Sequence, residues 1–362
     1  MTAPEPAPQP TMLSARDATL LKVCYQHRLL TTRQVHLLLY PGEVRRTAQK
    51  ALHRLARAGL VASGARSVTE EAVWFATEAG ASLAETGKVT ARRHRMTGEQ
   101  AVGRLRDHTL EANEVGLAFV LAARAREMDE CGPGAWEHEI GFRVSARRSG
   151  QTGSDITPDA VLEYTIGAAG RHEVVTRFIE VDRSTMPPGR FATKLRVYVQ
   201  LYNYKPKHMA GPPTPHGYNW EHKYLVFPKV LVVLCDHPDG HDAAQLARRR
   251  ERLLGLCALD PVLERARMTG QVVITFTTLR ELVEKGPFEP IFWTPGAEGP
   301  ADVIGESSLP AQLAVEGLEL DDGDVPASAR RPGRRGSGTA REGRQPGRRG
   351  EADQLELAAS WG

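Results

Sequence analysis

Apolar residues first recur at helical spacing just after Ser14. In "SARDATLLKVCYQHRLL", Leu20, Leu21, Cys24 and Leu29 mark one helix face, and Ser14 stands where an N-cap belongs. "TTRQVHLLLYP" predicts a shorter helix, capped by Thr31 or Thr32 and ended by Pro41. A third helix runs through "GEVRRTAQKALHRLARAGLV" and closes at Gly59, where a helix exit tolerates a left-handed residue. Its apolar stripe is Val44, Ala48, Ala51, Leu52, Leu55 and Ala58. Its other face carries Arg45, Arg46, Gln49, Lys50, His53 and Arg57. "LVASGARSVTEEAVWFATEAG" then predicts a strand, a glycine-containing turn with Arg66, and a second strand, with another helix opening at Thr77 and Glu78.

The pattern changes after the basic connector "TARRHRMTGEQ". A long helix from about Gly103 to Glu127 carries Leu110, Val115, Leu117, Ala118, Leu121 and Ala122, which predict a mostly buried element. Its first half also holds His108, Glu111, Asn113 and Glu114. Strand-like segments follow: "WEHEIGFRV", "DITPDAVLEY" and "EVVTRFIEVD". Then come a helix, "GRFATKLRVYVQLYNY", the wholly apolar "KVLVVLCD", a charged helix from Ala247 to Leu256, and "QVVITFTTL". This order predicts an α/β (α+β) mixed sheet flanked by helices, with "VLVVL" as its buried central strand. Four regions result: a disordered leader (1–13), a helical domain with a hairpin (14–95), a sheet domain (98–295) and a disordered tail (296–362).

Composition changes that picture little, and charge changes it more. The 362 residues suffice for two cores, and no apolar run approaches a membrane span. "MTAPEPAPQPTM" has neither the basic nor the apolar region of a secretory signal. The four cysteines are scattered without a CxxC pair, which suits a reducing cytoplasm. The net charge of +3 hides strong segregation: ten Lys or Arg face two acids between Ser14 and Arg66. Eight acids without a Lys or Arg follow from Glu298 to Asp324, and eight arginines lie in "RRPGRRGSGTAREGRQPGRRG". Basic blocks at both ends suggest a polyanionic partner, most simply double-stranded DNA. For the tail, a solvated arginine-biased extension is an equally good account.

The order helix, helix, basic helix, hairpin predicts a winged helix-turn-helix. One side of the third helix then locks into the bundle while Arg45, Arg46, Gln49 and Lys50 read base edges in the major groove. His53, Arg57 and Arg66 lie farther along, where cations meet phosphates. The plain alternative is a solvated basic face on an ordinary bundle.

The carboxylates of the sheet domain raise a second question. Alternation along "FIEVD" sets Glu180 and Asp182 on one face, and Asp159 of "PDAVLEY" reaches the same edge if its strand pairs alongside. Three hard oxygen ligands suit Mg²⁺ or Mn²⁺. The alternatives are a turn cap at Asp159 and solvent-facing acids on an edge strand. The arrangement resembles the PD-(D/E)XK nuclease superfamily, in which Pro-Asp opens one strand and Glu-x-Lys ends the next. Here Asp182 stands where that motif has its lysine, and Lys194 on the following helix is the candidate replacement. By that resemblance Asp159, Glu180, Asp182 and Lys194 form the catalytic set, and His108 and Glu111 either orient groups near it or belong to a helix surface.

Taken with "HTLEANEV" and "KLRVYVQLY", the run "FIEVDRST" makes residues 14 to 290 resemble the replication-relaxation family of actinobacterial plasmids and integrated mobile elements. The resemblance implies plasmid replication, DNA relaxation or mobilisation, with other plasmid replication or transfer proteins as partners, and a homodimer is left open. Three readings follow: a DNA-binding protein whose nuclease-like domain grips or nicks DNA, a Mg²⁺-dependent endonuclease, and a transcriptional repressor with an inactive second domain.

Overall fold

The computed structural model describes residues 13–64, 71–86, 95–103, 105–126, 130–144, 155–168, 171–206, 214–235 and 242–302. At its N-terminal end, helices α1 (Ala15–Gln26), α2 (Thr32–Leu39) and α3 (Arg45–Arg57) accompany a three-stranded antiparallel sheet. Its strands are β1 (Leu30–Thr31), β2 (Val61–Ser63) and β3 (Val73–Ala76), with β3 in the middle. Local chemistry sets the helix ends. Ser14 Oγ accepts from the Asp17 amide at 3.1 Å. Thr31 and Gln34 close a reciprocal capping box, each side chain accepting from the other's amide, at 3.1 and 2.9 Å. The chain leaves α3 through Gly59 at φ +72°.

The stripe of α3 is narrower than its sequence predicts. Ala48, Ala51, Leu52 and Leu55 are buried, whereas Val44 and Ala58 are exposed. Both are cap residues, so neither lies within the turns that press on α1 and α2. The strand β1 has no counterpart in the sequence pattern, because two residues between helices are too few to show alternation.

The rest of the chain supplies α4 (Glu78–Ala84), α5 (Gly98–Val102), α6 (Leu105–Arg126), β4 (Trp136–Glu137), β5 (Phe142–Arg143) and β6 (Asp155–Ile156). There follow β7 (Ala160–Ala168), β8 (Arg171–Asp182), α7 (Pro188–Asn203), β9 (Lys229–Leu234), α8 (Ala243–Ala258) and α9 (Pro261–Met268). Last come β10 (Ile274–Thr278), α10 (Leu279–Glu284), β11 (Phe292–Trp293) and β12 (Pro300–Ala301). Seven strands form one mixed sheet in the order β12-β11-β10-β9-β8-β7-β4, with β8, β9 and β10 parallel. The segment "WEHEIGFRV" divides: β4 joins this sheet, while β5 pairs with β6 apart from it. The sheet also extends into the stretch expected to be tail, since Pro300 and Ala301 pair with Trp293 and Phe292. Gly296, at φ +77°, lies in the connection that turns the chain from β11 to β12.

The two faces of the large sheet carry different layers. Leu162, Ile179, Val181, Leu231 and Val233 pack towards α6 and share one core with the N-terminal helices. Val161, Phe178, Val230, Val232 and Phe276 are covered by α7, α8 and α9. Burial on both faces explains the unbroken apolar run of β9, in which Val230 to Leu234 are wholly buried.

Helix α6 joins the two parts of the molecule. Arg33 donates to both oxygens of Glu114, at 2.8 and 3.0 Å, and Gln34 donates to the Leu110 carbonyl at 3.1 Å. Arg124 donates to the Leu37 and Leu38 carbonyls at the end of α2. Leu121, expected inside, is 36% exposed. Towards the sheet α6 presents Gly116, and a Cβ there would meet the Trp136 ring at 2.3 Å. No helix among the described residues is long and apolar enough to cross a membrane.

Candidate functional site

Two groups of polar residues stand out, and they are built in opposite ways. On α3, Arg45, Arg46, Gln49, Lys50, His53 and Arg57 are all exposed. Arg45 pairs with Glu71 at 2.6 Å, and His53 sets its ring edge-on to Trp74. Arg54, a further cation of this helix, is held by both oxygens of Asp17 on α1, so it serves the bundle. Arg66 lies outside the described residues.

The second group sits at the C-terminal end of β8. The Asp159 amide donates to the Ile179 carbonyl at 3.0 Å, so the antiparallel register that pairs Ala160 with Ile179 sets Asp159 opposite Glu180. Alternation then puts Glu180 and Asp182 on the α7–α8 side, with Ile179 and Val181 on the other. Glu180 is wholly buried and Asp182 is 2% exposed. Neither faces solvent on an edge strand, because β9 and β7 flank β8.

Each carboxylate has its own basic partner. His108 Nε2 lies 2.8 Å from Asp159 Oδ1, and Asp159 Oδ2 accepts from the Val181 amide at 2.8 Å. Glu180 accepts from Lys194 Nζ at 2.5 Å on one oxygen and from the Tyr198 hydroxyl at 2.5 Å on the other. Asp182 accepts two hydrogen bonds from Arg249, at 2.6 and 2.9 Å, and one from the Ser184 amide at 3.0 Å. The structure therefore brings Asp159, Glu180 and Lys194 together, with His108 beside them. It gives Asp182 wholly to Arg249. Glu111 turns to Arg183, 3.0 Å away.

These pairings shape the protonation of the group. Burial raises the Glu180 pKa, and the nearby Asp159 charge adds to it, against Lys194 and Tyr198. For Lys194, burial opposes the charge, yet the Glu180 carboxylate outweighs it and the pKa rises. Burial would also lower the His108 pKa, but the hydrogen bond and charge of Asp159 raise it overall. Burial pushes Glu111 from 4.5 up to about 7, opposed by Arg183 and His108.

Three further participants stand outside the set that the sequence assigns to the site. Tyr198 could have been found, since it lies one helical turn beyond Lys194 on α7. Arg249 is one of several arginines on α8, and only the fold selects it. The third is Asn113, wholly buried, which donates to the His27 and Leu29 carbonyls. Its oxygen accepts from Trp136 Nε1 and faces His138 Nε2, both at 2.8 Å. His138 Nδ1 in turn lies 2.8 Å from the Asp159 carbonyl.

The family described as "Replication-relaxation" matches residues 21–212, just over half of the chain. The chain belongs to the replication-relaxation family. Membership carries a coarse function, the replication or relaxation of plasmids or mobile elements. The match spans α3, Asp159 just before β7, Glu180 on β8, and Lys194. No curated protein and no solved structure matches the chain.

Among the described residues, no group of three or more His, Cys, Asp or Glu is arranged to hold a metal ion. A three-carboxylate cage with Asp182 does not fit, because both of its oxygens are held by Arg249. Asp159 and Glu180 likewise have both oxygens engaged, by His108 and the Val181 amide and by Lys194 and Tyr198, so an ion there would have to displace some of these partners. Mg²⁺ commonly keeps its waters and binds one or two carboxylates together with substrate phosphate.

Proposed function

We propose that this replication-relaxation protein binds duplex DNA of its plasmid or mobile element and acts on the phosphodiester backbone. Helices α2 and α3 with the β2–β3 hairpin serve as a winged helix-turn-helix, with the exposed α3 face in the major groove. The observation that carries the second half of the reading is the convergence of Asp159, Glu180 and Lys194 at the end of β8. A PD-(D/E)XK-like site needs two acids on adjacent strands and one ammonium. Here the ammonium comes from α7 instead of the strand.

In this reading Asp159 and Glu180 would hold Mg²⁺ or Mn²⁺, and the ion would supply an activated water and offset charge on the phosphate. Lys194 stabilises negative charge as it develops, and Tyr198 fixes the Glu180 carboxylate. His108, whose pKa Asp159 raises, lies where it can hold a proton beside that carboxylate. Asp182 and Arg249 anchor the end of β8 to α8.

The test is incubation of supercoiled plasmid carrying the element's own origin, with and without Mg²⁺ or Mn²⁺. Nicks should need the metal and disappear in Glu180→Gln and Lys194→Ala. A second reading, gripping DNA without cutting it, is favoured by the basic partner that each carboxylate already has. A metal-independent footprint without nicks would select that reading. Absence of any footprint would reject both.

A further inference from the structure

A cavity of about 170 Å³ opens beside Asp159 and His108, where α6 meets the turn after α1 and the start of β7. Its walls are mixed. Leu29, Met96, Ala112 and Pro158 offer apolar surface, and Gln100 and Thr157 offer polar groups. Across it Arg28 and Glu139 form an ion pair, with side chains 13% and 33% exposed. Both residues have left-handed backbones, at φ 66° and 63°. For residues with a Cβ this conformation is strained, and such strain gathers at ligand clamps.

Size and chemistry narrow the occupant. The cavity is well below the roughly 300–1,000 Å³ of sites for drug-sized ligands, so a whole cofactor is excluded. It exceeds by several-fold the ~30 Å³ share of one water. Apolar walls with hydrogen-bonding groups at the edge suit a flat heteroaromatic ring, and Arg28 and Glu139 can serve both acceptor and donor edges. We infer that this cavity receives one unstacked nucleobase, next to the backbone that Asp159 and Glu180 address. The inference rests on the proposed function, since it supplies that site with the base adjoining the reacting phosphate.

The test uses full-length protein in EDTA, so cleavage plays no part. Short single strands carry 2-aminopurine at successive positions, and binding is followed by anisotropy alongside fluorescence. A fluorescence change is expected at one position, lost in Ala112→Trp and in Met96→Trp. Melting curves check that the variants fold, and Met96→Trp carries the test if Ala112→Trp does not. Free 2-aminopurine deoxyriboside forms a second arm. Saturable binding of it, lost in the filled variants, assigns the cavity to free nucleosides as well as strands. Strands that bind without a fluorescence change, or with the same change in filled variants, overturn the cavity and leave the proposed function standing. Failure of every strand to bind overturns the cavity, while the footprint on supercoiled plasmid decides the proposed function separately. A cavity signal with no metal-dependent nicks supports the cavity while removing cleavage from the proposed function.

Discussion

The exposed face of α3 and the buried end of β8 are both rich in charge, yet they use it differently. On that exposed face the cations reach water, and the Arg46 and Lys50 side chains have neither a hydrogen bond nor an ion pair with the described residues. Such charges are available to a polyanion, and their removal leaves the fold almost untouched. At β8 each acid is matched to a basic group brought from another element: His108 from α6, Lys194 from α7 and Arg249 from α8. Buried charges of this kind hold positions, and removal of one partner strands the other. The difference teaches that a surface for binding and a site for positioning can be told apart by who satisfies the charge.

The largest effect should come from breaking the second arrangement. Asp182→Ala leaves Arg249 buried without its carboxylate and should cost about 3–5 kcal/mol in denaturant unfolding. A loss no greater than that of a surface change would erase the contrast.

Next is a pH dependence with a definite sign. Glu111 holds its proton up to about 7 in the folded chain, against 4.5 ordinarily. The unfolded chain releases that proton first, so stability should fall as pH rises from 4.5 to 7 and then level off. The shift corresponds to about 3 kcal/mol over that window. Unfolding measured across pH should show this slope in the native protein and not in Glu111→Gln.

A smaller effect tests the polar bridge between the two parts. Asn113→Ala removes the acceptor of the Trp136 Nε1 hydrogen and the donor to the Leu29 carbonyl, and should cost about 2 kcal/mol. Unfolding detected by tryptophan fluorescence would read it.

The smallest change in stability belongs to α3. Arg46→Ala with Lys50→Ala should move stability by no more than about 0.5 kcal/mol. In the same variant the salt dependence of DNA binding should flatten, by about one in slope for each phosphate no longer neutralised. Unaltered DNA titrations at several salt concentrations would remove α3 from the interface and leave it an ordinary solvated face.

The same contrast explains what could be read from the sequence. The three N-terminal helices and their caps at Ser14 and Thr31 follow from local signals, because a cap and its partner lie within three residues. The basic face of α3 is legible because exposed charges obey helical periodicity. The alternation of "FIEVD" likewise assigns Glu180 and Asp182 a common face. Their partners are not legible, since Arg249 lies 67 residues beyond Asp182 and only packing of α8 selects it. Periodicity points to three acids as metal ligands because it reports a shared face without reporting what stands opposite. Short strands escape for another reason: β1, β11 and β12 have two residues each, too few for a pattern.

Replacing a helix-interior glycine by alanine is a standard route to a more heat-resistant protein, gaining about 1 kcal/mol where the site is open. At Gly116 the route is closed. The missing methyl group is the space the Trp136 indole occupies, and that ring reaches past the glycine to hydrogen-bond Asn113 one turn earlier. Engineering the long helix for stability would have to leave this position alone, and a survey of tolerated substitutions along it should find a gap there.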